Sequence, residues 1–406
     1  MTRRRSQLLH WVQWPVRRLA TLVVAYATLA VLIVVAHVER RRRPRSVPRI
    51  FWAVNPAVEV LRAHGDALRR LDYPTARVVT AGPGWSDAEI EVDEHFSRAP
   101  GTSRWPRFFR AYATFRWTLR HCDIVILSPD WTILRATPLE YRQLQLLRVA
   151  RKKILLLPHG PDVRIPSRAR DLLFKHALSV EQPAYARAES GRLRDLEYVL
   201  GHADHIVSGA DWVDSMPWWD RLRAAPLAVD VAKWRPNSSP RTGGPLVVLH
   251  ALRGSEPAGT EFLERACDEL AREGVPIELK VVEHPQAESR RRLLEEADVV
   301  AEQFVAGWYG QLAVEGMSME KPVLSYLRSD LRELYTLFSF AGDCPIVDTG
   351  PGEVKEKLRE LAADADARAE IGRRGRQYVR DHHSLEALAA MLDEIFKKLS
   401  SRSEVP

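Results

Sequence analysis

Hydrophobic and polar positions in the second half of the chain alternate in segments typical of strands and helices. Continuous apolar runs predict buried strands, and the amphipathic stretches between them predict helices. This alternation implies a parallel sheet whose ligands bind at the carboxyl ends of its strands. The strands are expected at 246–250, 276–282, 298–300 and 321–325, and the helices at 257–273 and 286–296.

The first half shows the same alternation, and a polar, turn-rich stretch at 226–245 predicts an interdomain linker. We therefore expect an α/β fold with two Rossmann-like parallel-sheet domains that face a cleft. The domains are placed at 50–225 and 246–382, followed by a C-terminal helix at 383–400 and a tail at 401–406. In the first domain, strands are predicted at 50–54, 76–80, 123–127, 153–157 and 205–208, and helices at 57–71 and 138–151.

The N-terminal segment has a third pattern, a long apolar run between two basic stretches. Residues 19–38 contain no Asp, Glu, Lys or Arg, and 20 helical residues span about 30 Å, the thickness of a bilayer core. A cleaved signal peptide and a buried core helix are the alternatives. No small-residue cleavage site follows the run, and four consecutive arginines would oppose secretion. We predict a basic segment at 1–18, a transmembrane anchor at 19–38 and a basic juxtamembrane linker at 39–49.

Charge is distributed unevenly along the 406 residues. The chain has 60 Lys and Arg against 53 Asp and Glu, but residues 1–49 hold 11 of the arginines and only Glu39. The remaining chain is slightly acidic, so we do not expect the folded part to bind nucleic acid. Arginines beside an apolar helix favour anionic lipid headgroups, by about 1 kcal/mol each. Five arginines precede the run and six follow it, so the positive-inside rule does not choose an orientation.

A glycine turn precedes the helix expected after residue 310. Backbone N–H groups at such a turn, with the positive end of the helix dipole, can approach a diphosphate closely. Glu315, one turn further on, can accept the hydroxyls of a ribose. An ordinary helix start with a surface acid is the alternative interpretation.

Together with this turn, several motifs resemble family 4 retaining glycosyltransferases of the GT-B type over residues 50–400. In the N-terminal half, the segment from His159 to Arg164 resembles the His-Gly-x-Asp-x-Arg loop of that family. The other matching residues are His250 and Arg253, Gly259-Thr260, Ala297-Asp298-Val299, Gly310 and Glu315, Lys321-Pro322-Val323, Gly375 to Val379, and His383-Ser384.

The resemblance implies an N-terminal acceptor domain and a C-terminal nucleotide-sugar domain. It implies that His159 contacts a hexose while Asp162 and Arg164 order the loop, giving His159 and Asp162 as the catalytic candidates. A loop-stabilising ion pair between Asp162 and Arg164 is the other interpretation. The implied donor-binding residues are Arg253, Gly307, Tyr309, Gly310, Gln311 and Glu315.

Two positions depart from the family pattern. The first Glu of the family's usual pair falls on Gly307, and its usual Lys falls on Ala258. Each change removes one charge-assisted contact to the donor, worth about 1.5–3 kcal/mol. Glu302 and Arg253 are the candidates for substitute contacts.

Metal and redox chemistry are not expected. No Asp-x-Asp follows a strand, and no Cys or His cluster has metal-ligand spacing. The loop after residue 54 lacks the glycines of a dinucleotide fingerprint. Cys122, Cys267 and Cys344 are predicted to be free thiols. We expect no cofactor and no metal, with a nucleotide-diphosphate sugar as co-substrate and backbone N–H groups, the helix dipole and Arg253 stabilising the leaving diphosphate.

The predicted function is transfer of a hexose-type sugar, with retention, to a glycan or lipid-linked acceptor at the membrane. Because nucleotide sugars are made in the cytoplasm, the catalytic domain is expected to face inward. One alternative is a GT-B domain that has lost catalysis and serves as a binding or scaffold subunit in envelope polysaccharide assembly. A sugar epimerase or phosphorylase would need an acid–base set or a pyridoxal lysine that the sequence does not show.

Aromatic residues cluster in the segment before the strand at 123–127. They lie at helical spacings of three and four, which favours a core position over a sugar or lipid groove. The residues are Trp105, Phe108, Phe109, Tyr112, Phe115 and Trp117.

Overall fold

The computed structural model contains two parallel sheets. It describes residues 2–54, 59–80, 89–92, 107–130, 132–135, 137–160, 162–216, 221–237, 243–252, 257–336 and 342–401.

The N-terminal sheet has seven strands in the described part of the chain, in the order β3-β2-β1-β4-β5-β6-β7. Its pairs are parallel except β2 with β3, which is antiparallel. All five predicted strands are confirmed. Their apolar runs are buried because helices cover both faces of a parallel sheet. The strands are β1 (Ile50–Ala53), β2 (Thr75–Thr80), β3 (Glu89–Val92), β4 (Ile124–Leu127), β5 (Lys153–Leu156), β6 (His205–Ser208) and β7 (Leu222–Ala224).

The C-terminal sheet has five described strands in the order β12-β11-β10-β8-β9, and every pair is parallel. The four predicted strands are confirmed, and the short edge strand β12 is an addition. The strands are β8 (Leu246–Leu252), β9 (Ile277–Glu283), β10 (Val299–Ala301), β11 (Val323–Ser325) and β12 (Val347–Asp348).

Helices connect the strands and cover the sheets. In the described residues, three short 3-10 segments, Glu140–Arg142, Pro166–Arg168 and Ala210–Ser215, and a π turn at Val379–His383 lie between them. The helices are α1 (Thr2–Arg40), α2 (Glu59–Leu68), α3 (Arg107–His121), α4 (Gln143–Val149), α5 (Leu172–Glu181), α6 (Pro183–His202), α7 (Thr260–Arg272), α8 (Ala287–Glu296), α9 (Gln311–Ser318), α10 (Ser329–Thr336), α11 (Val354–Ala363), α12 (Ala365–Tyr378) and α13 (Leu385–Ser401).

The last helix returns the chain to the N-terminal domain. Leu388, Leu392 and Phe396 of α13 share a buried core with Ile50 and Leu61. The hydroxyl of Tyr73 also donates to Asp393 of α13 at 2.7 Å. The two sheets are thus joined both by the linker and by this returning helix.

Helix α1 is continuous across the boundaries that the sequence suggested near residues 18 and 38. Its segment Leu19–Arg40 is long and apolar enough to cross a membrane. One side of the helix is buried against α3 and α4, through Ala25, Leu32 and Ala36.

The α3 aromatics Tyr112, Phe115 and Trp117 belong to the same core as this buried side of α1. The expectation that they are core residues is confirmed, whereas Trp105 lies outside the described residues.

The basic stretch at 39–49 is fastened to the N-terminal domain. The guanidinium of Arg45 donates to Asp123 at 2.6 Å, and the backbone N–H of Arg49 donates to the same carboxylate at 3.0 Å. Arg40 still belongs to α1. An ion pair and a backbone hydrogen bond therefore hold this stretch beside the start of β4.

Candidate functional site

The loop after β5 is organised by one carboxylate. The backbone N–H groups of His159 and Gly160 both donate to Asp162 Oδ1 at 3.0 Å. The Asp162 side chain is fully buried. Arg164 places its guanidinium 5.0 Å from the centre of the Phe174 ring. Asp162 thus lies where it can order the loop, and it holds His159 at the carboxyl end of β5.

A second carboxylate, which the sequence analysis did not single out, contacts His159 from the neighbouring strand. Asp130 lies shortly after β4, and its Oδ1 is 3.1 Å from His159 Nε2. The pairing of β4 with β5 brings together two residues that are 29 positions apart. In the sequence, Asp130 could have been found as an acidic residue shortly after a predicted buried strand, at the end of the sheet where ligands bind.

The three side chains shift one another's pKa values. Burial opposes the charged form of His159, but the hydrogen bond that its ring donates to Asp130 and the charges of Asp162 and Asp130 outweigh burial and raise the His159 pKa. Burial raises the pKa of Asp162 to about 6. Burial also acts to raise the Asp130 pKa, yet contact with His159 brings it below its ordinary value. A histidine between two carboxylates can hold or exchange a proton near neutral pH.

The same three residues form the group that could hold a metal ion. The ligand atoms of Asp130, His159 and Asp162 lie within 4.8 Å of one another. Sequence spacing gave no indication of this group, because its members come from two strands.

At the turn before α9, the amides expected to meet a diphosphate already bind a side chain. The Gly310 N–H donates to both carboxylate oxygens of Glu302, at 2.8 and 2.7 Å, and the Ala313 N–H lies 3.4 Å from Glu302 Oε1. The Gln311 side chain donates to the carbonyl of Ala228 at 3.3 Å, while its Oε1 is buried without a hydrogen-bond partner. Glu302 therefore caps the helix that carries the predicted donor contacts.

Gln303 fixes the rest of this turn. Its Oε1 accepts from the Val305 and Ala306 N–H groups at 2.9 and 2.6 Å. Its amide nitrogen donates to the Trp308 carbonyl at 2.5 Å and to the Tyr326 carbonyl at 3.0 Å. One amide thus binds both ends of the turn, a role that sequence spacing did not reveal.

Gly307 has a structural reason to lack a side chain. Its φ is +82°, and a Cβ there would lie 2.5 Å from Arg328 Cδ. The Arg328 guanidinium pairs with Asp330 and, across the domain junction, with Asp214, each at 2.7 Å. At the position where the family 4 pattern of the sequence analysis has its first Glu, the chain therefore carries a glycine over which an arginine packs.

The carboxylate of Glu315, the predicted ribose ligand, is engaged within the protein. It is 1% exposed and makes two hydrogen bonds with Arg290, at 2.8 and 2.9 Å. Arg290 also donates to Glu59 of the N-terminal domain at 2.6 Å. Donor binding at Glu315 requires this buried pair to rearrange.

One further predicted donor residue, Tyr309, is buried, and another lies outside the described residues. The Tyr309 hydroxyl is buried, 3.1 Å from the Tyr378 hydroxyl and 3.0 Å from His383 Nε2. Burial raises the Tyr309 pKa well above its ordinary value. Arg253 lies outside the described residues. His250 is buried and links the Ala301 carbonyl with Thr260 Oγ1.

Three successive contacts link the His159 loop to the Gly307 turn. A Cβ on Gly160 would lie 3.0 Å from the Trp212 ring. Asp214, two residues beyond Trp212, pairs with Arg328, and Arg328 packs on Gly307. The catalytic candidates and the donor candidates therefore border one junction between the two sheets.

Comparison with known proteins identifies the architecture. No protein-family profile and no curated protein sequence matches the chain. Among solved structures, a glycosyltransferase from Rickettsia africae has 14% identity and a TM-score of 0.55, covering 88% of this chain and 100% of that one. Sucrose-phosphate synthase from Thermosynechococcus elongatus has 13% identity, a TM-score of 0.54 and the same coverage.

The chain has the GT-B fold. A third structure of this fold, the catalytic domain of starch synthase IV from Arabidopsis thaliana, was solved with ADP and acarbose. It has 11% identity and a TM-score of 0.54, covering 88% of this chain and 100% of that domain. At such identities the similarity establishes the GT-B fold, and the activity is argued from the site.

Proposed function

We propose that this protein is a membrane-anchored glycosyltransferase that moves a hexose-type sugar from a nucleotide-diphosphate sugar to a glycan or lipid-linked acceptor. The transfer proceeds with retention and without a metal ion. The observation that carries the proposal is the series of contacts that links the His159 loop to the Gly307 turn through Trp212, Asp214 and Arg328. This junction joins a histidine held by two carboxylates to the start of α9.

Within this proposal, the donor diphosphate binds at the amino end of α9 and the ribose binds near Glu315. Glu302 holds the Gly310 amide as an anion would. An incoming diphosphate would displace Glu302 from that amide, and helix dipole and backbone N–H groups would then stabilise the leaving phosphate. Arg253 and Gln311 are assigned to the same donor. Gly307 and Tyr309 stabilise the turn, because both are packed within the protein.

The hexose is assigned to His159. Its ring is fixed between Asp130 and Asp162, so it can bind a sugar hydroxyl in one orientation. The charge that Asp162 and Asp130 stabilise on the imidazole also suits a position beside the departing phosphate. The acceptor attacks the anomeric carbon on the face from which the phosphate leaves, and the acceptor proton passes to that phosphate.

Membrane attachment is assigned to α1, with the catalytic domains in the cytoplasm. Leu19–Arg40 is long and apolar enough to span a bilayer. Its side away from α3 and α4 exposes large apolar side chains, including Val23, Tyr26 and Val34. Apolar burial in lipid stabilises such a surface by about 25 cal/mol per Å².

Nucleotide binding tests the donor site directly. The full chain in neutral detergent is titrated by calorimetry with UDP, GDP, ADP and TDP, and with their hexose derivatives, in EDTA. Saturable binding of one diphosphate is expected. Binding that appears only after a divalent cation is added would contradict metal independence and point to the Asp130, His159 and Asp162 group.

A second candidate function is a GT-B domain that binds a glycan or a partner without catalysis. The capping of Gly310 by Glu302 and the burial of Glu315 on Arg290 favour it. Folded protein that binds none of the four nucleotides would support this candidate over the transferase.

A further inference from the structure

A cavity lined by arginines lies where α1 ends. Its volume is about 580 Å³. The end of α1 and the residues after it form most of the wall, and Arg151 from the turn between α4 and β5 completes it. The lining residues are His37, Arg40, Arg41, Arg42, Arg43, Pro44 and Arg151.

The cavity carries excess positive charge. Glu39 is buried and pairs with Arg42 at 3.2 Å. Asp123, close to the same segment, is bound by Arg45 at 2.6 Å and lies 3.9 Å from Lys152. Burial lowers the Lys152 pKa. Both carboxylates are paired within the protein. The five arginines of the lining therefore outnumber the carboxylates that could neutralise them.

Apolar surface leads directly to the cavity. Val31, Val34 and Val38 lie on the exposed side of α1, and Val34 is 63% exposed. They come within three turns before Arg40, so an apolar strip and a cationic cavity are continuous on one helix. A phospholipid has the complementary arrangement, with acyl chains next to an anionic phosphate.

We propose that this cavity binds the phosphate of one anionic phospholipid headgroup, with the acyl chains along the exposed side of α1. The guanidinium groups suit the ligand because they bind phosphate with charge-assisted hydrogen bonds. Arg151 makes the cavity a site of the folded domain, beyond a general attraction of the N-terminal arginines to the membrane. The inference rests on the membrane attachment proposed above and is independent of glycosyl transfer.

The site is separate from the candidate catalytic loop. Arg151 precedes β5, whereas His159 follows it. The two residues therefore lie at opposite ends of β5. A change at Arg151 leaves the candidate catalytic residues in place.

The test uses the full chain in neutral detergent micelles, titrated by calorimetry with short-chain phosphatidylglycerol or phosphatidylcholine. Arg151 has a φ of +56°, so Arg151→Asn keeps a residue that tolerates this conformation while removing the charge. Arg151→Lys keeps the charge. Arg148→Ala, at an exposed arginine three residues earlier that is not part of the lining, controls for lost charge alone.

Wild type is expected to bind one phosphatidylglycerol saturably and phosphatidylcholine at least tenfold more weakly. Arg151→Asn should lose at least tenfold in affinity for phosphatidylglycerol, Arg151→Lys less, and Arg148→Ala under twofold. Equal losses in Arg151→Asn and Arg148→Ala would overturn the site in favour of diffuse attraction. Binding of inorganic phosphate as tight as that of phosphatidylglycerol would overturn the assignment to a lipid.

Nucleotide binding, measured on the same samples, separates this inference from the proposed function. Unchanged nucleotide affinity in Arg151→Asn is expected, because Arg151 lies at the amino end of β5 in the N-terminal sheet and the proposed nucleotide site lies at α9, beside the C-terminal sheet. Failure of lipid binding with nucleotide binding intact would reject the lipid site alone.

Discussion

The two halves of the candidate site differ in how far they are prepared for a ligand. In the N-terminal domain, Asp162 satisfies the loop amides and Asp130 holds His159 at the strand end. In the C-terminal domain, Glu302 occupies the Gly310 amide and Arg290 occupies Glu315. Under the proposed function, the side assigned to the hexose is already arranged, whereas the side assigned to the nucleotide must exchange internal contacts for ligand contacts.

This difference follows from a general requirement of backbone groups. Helix N-terminal amides must be satisfied, and a carboxylate near the helix start is a favourable partner for them. Glu302 meets that requirement in the absence of a diphosphate. A motif therefore locates the amides that can bind an anion, but the neighbouring side chains decide what a ligand must displace.

The largest expected effect is on the prepared side. His159→Ala should lower turnover by about 10²–10⁴-fold, the range for a positioned proton-transfer or binding group, with little change in nucleotide affinity. Steady-state kinetics and calorimetry measure the two quantities. His202→Ala, at a histidine of α6 outside the junction, is the control. Equal losses of turnover and nucleotide affinity would show that His159 shapes the loop and does not contact the sugar.

On the nucleotide side, Glu315→Ala should weaken nucleotide binding by about 1.5–3 kcal/mol, the value of a charge-assisted contact. The same change leaves Arg290 buried next to Glu59 alone, so we also expect a stability loss of about 3–5 kcal/mol in thermal or urea unfolding.

Glu315→Gln keeps the side-chain volume and serves as the companion variant. A large stability loss in Glu315→Ala with unchanged nucleotide affinity would restrict Glu315 to its ion pair with Arg290.

Glu302→Gln sharpens the comparison, because its expected effect on nucleotide binding has the opposite sign. Removing the negative charge beside the diphosphate should tighten diphosphate binding several-fold, while the weaker cap costs about 0.5–2 kcal/mol of stability. Calorimetry and unfolding curves measure the two changes. A tenfold weaker affinity would instead make Glu302 a donor contact that substitutes for the missing family Glu.

The smallest expected change is a shift in the pKa of His159. Asp130 and Asp162 raise the His159 pKa, so Asp130→Asn should lower it, because the protonated ring loses its hydrogen-bonded anion. Proton NMR of the histidine ring follows the midpoint. The pH below which His159 is charged should move down in the variant. A midpoint that stays in place would show that Asp130 does not control the protonation of this ring.

The pKa of Asp162 has a separate consequence for stability. Because its folded-state value, about 6, lies above the ordinary aspartate value, the folded protein holds this proton more tightly than the unfolded chain. Its contribution favours folding at low pH and declines as pH rises from about 4 to 6. Asp162→Asn should flatten the pH dependence of unfolding in that interval.

The strands were predictable because a buried parallel strand needs a continuous apolar run, as in Ile124–Leu127 and Leu246–Leu252. Edge strands such as Glu89–Val92 carry charged residues and gave no such signal. The position of His159 after a strand and that of Gly310 at the start of a helix followed from the same alternation. Local pattern therefore gave the architecture and the loops that border the junction.

The contacts that decide how the site works were not predictable, because they join distant parts of the chain. Arg290 and Glu59 are separated by 231 positions, and Arg328 and Asp214 by 114. Gly307 could be recognised as a departure from the family pattern, but only the packing of Arg328 explains it. Such pairings depend on how the two sheets are placed, which periodicity does not encode.

The most direct test of the central claim is proton NMR of the full chain incubated in EDTA with the nucleotide sugar whose diphosphate binds. A glycosyltransferase of the proposed kind should slowly release nucleoside diphosphate and free hexose. The hexose should first appear in the anomeric configuration of the donor. His159→Ala should stop the release. Tight binding of the nucleotide sugar with no cleavage over days, with or without glycan acceptors, would contradict the account and establish a binding protein on the GT-B fold.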